Sequence, residues 1–276
     1  MRPFCLSPHT LNIRTAYPCL SARMTCEACR TIPPVIAKGY TPKGETSVIG
    51  GLGFSTYITG PRTATTALLA IYDIFGNTPQ TTQGADILAE RLNALILIPD
   101  FFDGEGAKPE WFPTDTIERH GLLMDLVIRK ANWTEASKGM PELLRAYRGV
   151  FPGVNRWGAY GLCWGGKVLA LASGMEEGCG LRGTVQVHPG LMDKADAEKL
   201  TIPHAVLASN EEPADVVQAY KEITAANEIG GFVETYENMW HGWMGARADL
   251  KGEESAREFI RGYERIAGFV EKYLMD

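Results

Sequence analysis

The chain has no run of about 18 or more apolar residues, the length a helix needs to span a bilayer; Ala94–Pro99 and its flanks come nearest. A membrane-spanning role is excluded by that reading. Net positive charge is also missing: 33 acidic against 27 basic side chains give a formal charge of -6 and leave no broad footprint for a phosphate backbone. The expected partner is a small molecule, with no nucleic acid and no membrane. Cysteine is scarce. Four of the six, Cys5, Cys19, Cys26 and Cys29, precede the first recognisable core strand, which suits a reducing, cytoplasmic compartment better than a disulfide scaffold. No G-x-G-x-x-G follows a strand and no Walker A motif occurs, so no nucleotide or flavin cofactor is expected. Cys26-Glu27-Ala28-Cys29 is a C-x-x-C, but no second C-x-x-C or H-x-x-x-H follows it. The reading is a mobile, non-catalytic segment and no metal. Asn132-Trp133-Thr134 matches a glycosylation acceptor, which matters only in a secreted chain.

With 276 residues, 45% apolar and 22% charged, the sequence has the material for one large α/β core. Residues 1–23 carry Arg2, Arg14 and Arg23, no acid and no helical or strand period, and read as an appendage or, alternatively, a mitochondrial targeting segment. Residues 1–44 are therefore assigned to an N-terminal extension, flexible or partly ordered, and 45–276 to a single domain. From about Gly50, short apolar runs alternate with longer amphipathic stretches, the pattern of a parallel sheet covered by helices. Strands are predicted at Phe54–Thr59, Ala67–Tyr72, Leu95–Pro99, Arg156–Tyr160, Gly183–Val187, His204–Ala208 and Phe232–Tyr236. Helices are predicted at Gln83–Leu92, Ile117–Arg129, Trp133–Tyr147, Lys167–Ser173, Ala214–Ala226 and Glu254–Tyr273. The long stretch Gly104–Gly139 suits a helical excursion that forms a lid or pocket wall.

The sharpest local signal is Gly161-Leu162-Cys163-Trp164-Gly165-Gly166 between a strand and a helix. A nucleophile on such a turn sits in a strained backbone, flanking glycines make room for the chain reversal, and the helix N-terminus favours a thiolate. Cys163 is the candidate nucleophile. In this topology the base comes last, which selects His241, in Trp240-His241-Gly242-Trp243, over His9, His120, His188 and His204. His204 reads as a core histidine, and His188 as a pocket-lining one. The orienting acid is expected on the loop after His204–Ala208, where Glu212 is the first choice and Glu211 and Asp215 are the alternatives.

The Cys163 elbow, Ile71-Tyr72-Asp73-Ile74-Phe75-Gly76 after an early strand, Pro99-Asp100, the Glu-Pro loop and the late His-Gly-Trp together resemble the dienelactone hydrolase family over about Gly50 to Tyr273. Leu-Cys-Trp-Gly-Gly and the start near Met24 are most similar to fungal members. The resemblance implies an α/β-hydrolase fold, with a mostly parallel, doubly wound sheet flanked by helices, and a Cys-Asp-His triad that opens an enol-lactone through an acyl-enzyme. Here glutamate, at Glu212, stands where the family places aspartate, and Asp73 stands where bacterial members carry a thiol-tuning glutamate. Arg247 is the candidate for a substrate-gripping arginine. The backbone N–H groups of Trp164 and Ile74 are the expected oxyanion hole, and Trp111, Phe112, Trp164, Trp240 and Trp243 the expected aromatic lining. The expectation is a hydrolase of activated cyclic esters, esters or thioesters, monomeric or homodimeric. The rivals are a tailoring hydrolase or cyclase of the same fold, a non-catalytic binding descendant, and a thiol redox protein using Cys26, Cys29 or Cys163.

Overall fold

Two runs that are apolar at nearly every position, Thr66–Ile71 (β3) and Leu95–Pro99 (β4), form fully buried neighbouring strands, as expected where both faces of a parallel sheet are covered. The computed structural model describes residues 27–276, so the expectations for residues 1–23 and for Cys26 lie outside the described residues. Around β3 and β4 the sheet is completed by Glu45–Val48 (β1), Ser55–Thr59 (β2), Arg156–Leu162 (β5), Thr184–Val187 (β6), His204–Ser209 (β7) and Gly231–Tyr236 (β8). Its eight strands lie in the order β1-β2-β4-β3-β5-β6-β7-β8. β1 and β2 pair antiparallel with each other, β2 pairs antiparallel with β4, and every other pairing is parallel.

All seven predicted strands and all six predicted helices are present, with ends shifted by a few residues in most. The helices are Glu27–Thr31 (α1), Pro79–Leu92 (α2), Ile117–Arg129 (α3), Trp133–Val150 (α4), Trp164–Ser173 (α5), Lys194–Ala197 (α6), Ala214–Ala226 (α7) and Glu253–Val270 (α8). β1, α1 and α6 were not anticipated. β1, with the sequence Glu-Thr-Ser-Val, is exposed along its whole length and has no apolar face to advertise it. Asn132 accepts hydrogen bonds from the N–H groups of Thr134 and Glu135 and so serves as the N-cap of α4. α8 lays Phe259, Tyr263, Ile266 and Val270 into the core beside α2. Among the described residues no helix is long and apolar enough to cross a membrane.

The stretch from residue 27 to residue 44 is tied to the domain. Arg247 donates from Nε to Ile32 O (2.8 Å) and from Nη2 to Ala28 O (3.2 Å), Val35 N–H donates to Ala246 O (2.8 Å), and Thr114 N–H donates to Arg30 O (2.9 Å). Further along, buried Asp86 accepts from Tyr40 OH, Lys43 N–H and Tyr57 OH at 2.6, 3.0 and 2.7 Å. Residues 27–36 therefore form a strap across the C-terminal ends of β3 and β5, where the loops carrying Asp73 and Cys163 emerge.

Candidate active site

Cys163 occupies the turn between β5 and α5 with φ 50° and ψ -104°, a conformation that costs a non-glycine residue energy. Two glycines make the turn sterically accessible. A Cβ on Gly161 would lie 2.3 Å from the Gly165 carbonyl, and one on Gly165 would lie 2.2 Å from Ile71 O. The turn is fixed by Cys163 N–H donating to Val187 O (3.0 Å) and by Gly190 N–H donating to Cys163 O (3.0 Å). Trp164 reaches across the sheet end, where its indole N–H donates to Ala131 O (2.7 Å) and secures the start of α4.

The loop after β7 places the three acidic residues differently. Glu212 Oε1 lies 2.7 Å from His241 Nδ1, both side chains being 2% exposed, while its other oxygen accepts the Ser209 N–H. Glu211 accepts the backbone N–H of His241 at 2.6 Å, so it holds the loop and not the ring. Asp215 lies in the first turn of α7, exposed, where its charge suits the helix dipole. With Nδ1 held by a carboxylate, the Nε2 of His241 is directed toward Cys163, the two ligating atoms lying within 4.8 Å of each other.

A third side chain closes this site. Cys29 Sγ lies 3.2 Å from Cys163 Sγ and 3.4 Å from His241 Nε2, and Cys29 is only 3% exposed. Cys29 was expected in a mobile, non-catalytic segment; in the structure the strap hydrogen bonds hold α1 so that its thiol lies against Cys163 and His241. The C-x-x-C was the available signal, but Cys29's neighbours in the site come from positions 134 and 212 residues away, which no local spacing reveals.

Other predicted residues are distributed differently. Ile74 and Trp164 line the same cavity as Cys163, together with Cys29, Trp133 and Lys167; the cavity has about 20 Å³ of internal space. Trp133 was missed as a lining residue, although it begins the predicted excursion helix. Trp111, Phe112, Trp240 and Trp243 do not line it. Phe112 packs on Phe75 (centroids 5.1 Å), Trp243 packs on Tyr236 (4.4 Å) in the core, and Trp240 donates to Arg247 O. Trp111 packs half-buried against the core. Asp73 is fully buried and spends its oxygens on the N–H groups of Phe75 and Ala246, both at 2.9 Å, which ties the loop after β3 to the loop after His241. Burial raises the pKa of its carboxyl, against the lowering effect of those two hydrogen bonds. Arg247 is buried with its guanidinium on the strap carbonyls and over the Phe75 ring (4.9 Å), so it grips the chain's own backbone. His188 packs edge-on against His241 (centroids 5.2 Å), and burial holds its pKa well below the ordinary histidine value. His204 is the core histidine expected, its Nδ1 2.7 Å from the Thr184 hydroxyl. A larger cavity of about 270 Å³ near Tyr57, Phe75 and Asp100 contains none of the candidate catalytic side chains.

A mostly parallel sheet with a cysteine on the tight turn after β5, an acid after β7 and a histidine after β8 is the arrangement of an α/β-hydrolase. The chain belongs to the dienelactone hydrolase family, whose sequence model matches residues 54–274. It is thus a hydrolase of the ester or lactone type. Two AIM2 family proteins of Schizosaccharomyces pombe, both described as uncharacterized, are each 33% identical to it, over 244 and 242 residues. The alignments cover 86% and 84% of this chain and 94% and 92% of the relatives. Among solved structures, a Klebsiella pneumoniae protein classed as a dienelactone hydrolase superposes with a TM-score of 0.63 at 19% identity, covering 85% of this chain and all of the other. A dienelactone hydrolase of Anabaena variabilis gives a TM-score of 0.60 at 10% identity, covering 85% and 98%. At those identities the superpositions establish the fold, and the fungal relatives agree with the fungal character of the elbow.

Proposed function

We propose that the protein opens activated cyclic esters, with Cys163 as nucleophile, His241 as base and Glu212 as orienter. The observation that carries this reading is the chain of contacts from Glu212 through His241 to the neighbourhood of Cys163, on three separate loops at one end of the sheet. Glu212 accepts the Nδ1 proton, which leaves the Nε2 lone pair to receive the thiol proton. The thiolate attacks the acyl carbon, and the carbonyl electron pair moves onto oxygen. The N–H groups of Trp164 and Ile74 are proposed to receive that oxyanion, a role supported by both residues lining the Cys163 cavity. Collapse of the intermediate expels an enolate, which takes the proton from His241, and a water activated by the same imidazole then cleaves the thioester.

Chemistry narrows the substrate. A thiolate leaves a tetrahedral intermediate more easily than an alkoxide does, so simple alkyl esters return to starting material, whereas an enol-lactone, aryl ester or thioester has a leaving group that competes. Space imposes a second condition. About 20 Å³ accommodates about one water, so a ring enters only when the strap of residues 27–36 moves aside. The test is a panel of enol-lactones, aryl esters and thioesters assayed with the parent chain, Cys163→Ala and His241→Ala. Lactone opening that disappears with Cys163→Ala and falls about 10²- to 10⁴-fold with His241→Ala supports the reading. Full turnover by a folded Cys163→Ala protein refutes it.

A further inference from the structure

The convergence of Cys29, Cys163 and His241 has chemistry of its own. Their three ligating atoms lie within 4.8 Å of one another, all three residues are buried, and they arrive from α1, the elbow and the loop after β8. Two thiols and an imidazole are the donor set preferred by a soft or borderline divalent cation of the zinc class. A tetrahedral site with Zn–S near 2.3 Å and Zn–N near 2.0 Å has S···S and S···N edges of about 3.8 and 3.6 Å. The observed separations are 3.2 Å for the two sulfurs and 3.4 Å from Cys29 Sγ to Nε2, with all three atoms within 4.8 Å, so a cation is admitted when those two pairs part by about 0.6 and 0.2 Å.

The surroundings point the same way. Glu212 on Nδ1 fixes the tautomer in which Nε2 presents a lone pair, the carboxylate-histidine support found behind metal-bound imidazoles. The small cavity beside Cys29 and Cys163 has room for about one water, which is what a fourth coordination position needs. Two thiolates offset the charge of a dication. A disulfide between Cys29 and Cys163 would use two of the three donors and leave the approach of Cys29 to Nε2 without a purpose.

We infer that Cys29, Cys163 and His241 form a binding site for a zinc-class cation, and that its occupation locks the strap over the nucleophile. Binding converts two thiols to metal thiolates, releases two protons to solvent and involves no change of oxidation state. The inhibitory consequence rests on the proposed role of Cys163 in acyl transfer; the metal site does not.

The reduced, chelator-treated full-length chain is titrated with Co²⁺ alone as a spectroscopic substitute for Zn²⁺. The expected result is one equivalent bound with an intense tetrahedral visible band and a thiolate charge-transfer band, both removed by Zn²⁺. Cys29→Ser and Cys163→Ala, confirmed folded by near-ultraviolet circular dichroism, should each weaken binding by about 100-fold or more. Should either variant fail to fold, alkylation of the parent chain supplies the same information, because bound Zn²⁺ should protect both the Cys29 and the Cys163 peptides. A weak octahedral spectrum, bands that survive both substitutions, or a Cys29–Cys163 disulfide forming in place of metal binding would overturn the site. In parallel, one equivalent of Zn²⁺ should suppress lactone turnover and chelator should restore it. Metal bands with undiminished turnover overturn the lock alone. Metal bands in a protein whose metal-free form shows no acyl turnover count against the proposed activity and leave the site standing.

Discussion

Glu212→Gln is the most informative single substitution, because the two oxygens of Glu212 serve different partners. One lies against His241 Nδ1 at 2.7 Å and the other accepts the Ser209 N–H. Glutamine preserves the size and keeps only one acceptor. If its oxygen stays on Ser209, its NH₂ faces Nδ1, the imidazole proton moves to Nε2, and the base can no longer take the thiol proton. Loss of the correct tautomer costs about 10³- to 10⁴-fold in kcat, or about 4 to 5.5 kcal/mol of barrier. If the amide turns over, activity is partly retained, but the NH₂ then opposes the Ser209 N–H, a donor against a donor in a buried site, at about 1 to 3 kcal/mol of stability. The assay is kcat on an enol-lactone together with the urea midpoint of the same preparation. Glu211→Gln is the internal comparison: its side-chain oxygen can still accept the His241 N–H, so a change of about fivefold or less is expected. A Glu212→Gln protein with parental kcat and parental stability would refute the reasoning.

Gly165→Ala should unfold the elbow, since its Cβ would lie 2.2 Å from Ile71 O and 2.7 Å from Ile71 C; a loss of about 3 kcal/mol or more is expected by urea denaturation, and an unchanged midpoint would contradict it. Arg247→Met removes the side chain's two charged hydrogen bonds to the strap, so iodoacetamide should modify Cys163 at least about tenfold faster than in the parent; peptide mass spectrometry reads the rate, and no acceleration would mean the strap is held elsewhere. Burial lowers the pKa of His204 to about 3. The unfolded chain therefore binds one more proton there below about pH 6.5, so this histidine's contribution is complete above that pH and is lost at about 1.4 kcal/mol per unit as pH falls toward 3. His204→Phe should flatten the stability-pH slope by up to one proton between pH 4 and 6, and equal slopes in the two proteins would rule this out.

Much of the scaffold was legible because parallel strands buried on both faces are written as uninterrupted apolar runs, as in Leu95–Pro99. The elbow was legible for a local reason: Gly161, Cys163 and Gly165 meet a steric requirement within five residues. Contacts between distant segments were legible only where chain order dictates them, as for Cys163 and His241. Glu211 and Glu212 are adjacent and chemically alike, and only the path of the loop gives one the imidazole ring and the other the backbone of His241. Trp133 and Trp243 are equally plausible pocket residues as letters, yet the first lines the Cys163 cavity and the second is packed on Tyr236. Cys29 was weighed in the C-x-x-C and set aside, since its position depends on Arg247 and Ala246 drawing residues 27–36 over the site.

The central claim is that Cys163 carries the acyl group. The direct measurement is to quench the metal-free protein during turnover of a slowly deacylating aryl ester and to locate the added mass by peptide analysis. The account predicts an adduct of the acyl mass on the Cys163 peptide that forms with the burst of leaving group, decays at the steady-state rate and is absent in Cys163→Ala. Turnover with no adduct at Cys163, undiminished in that variant, would contradict it.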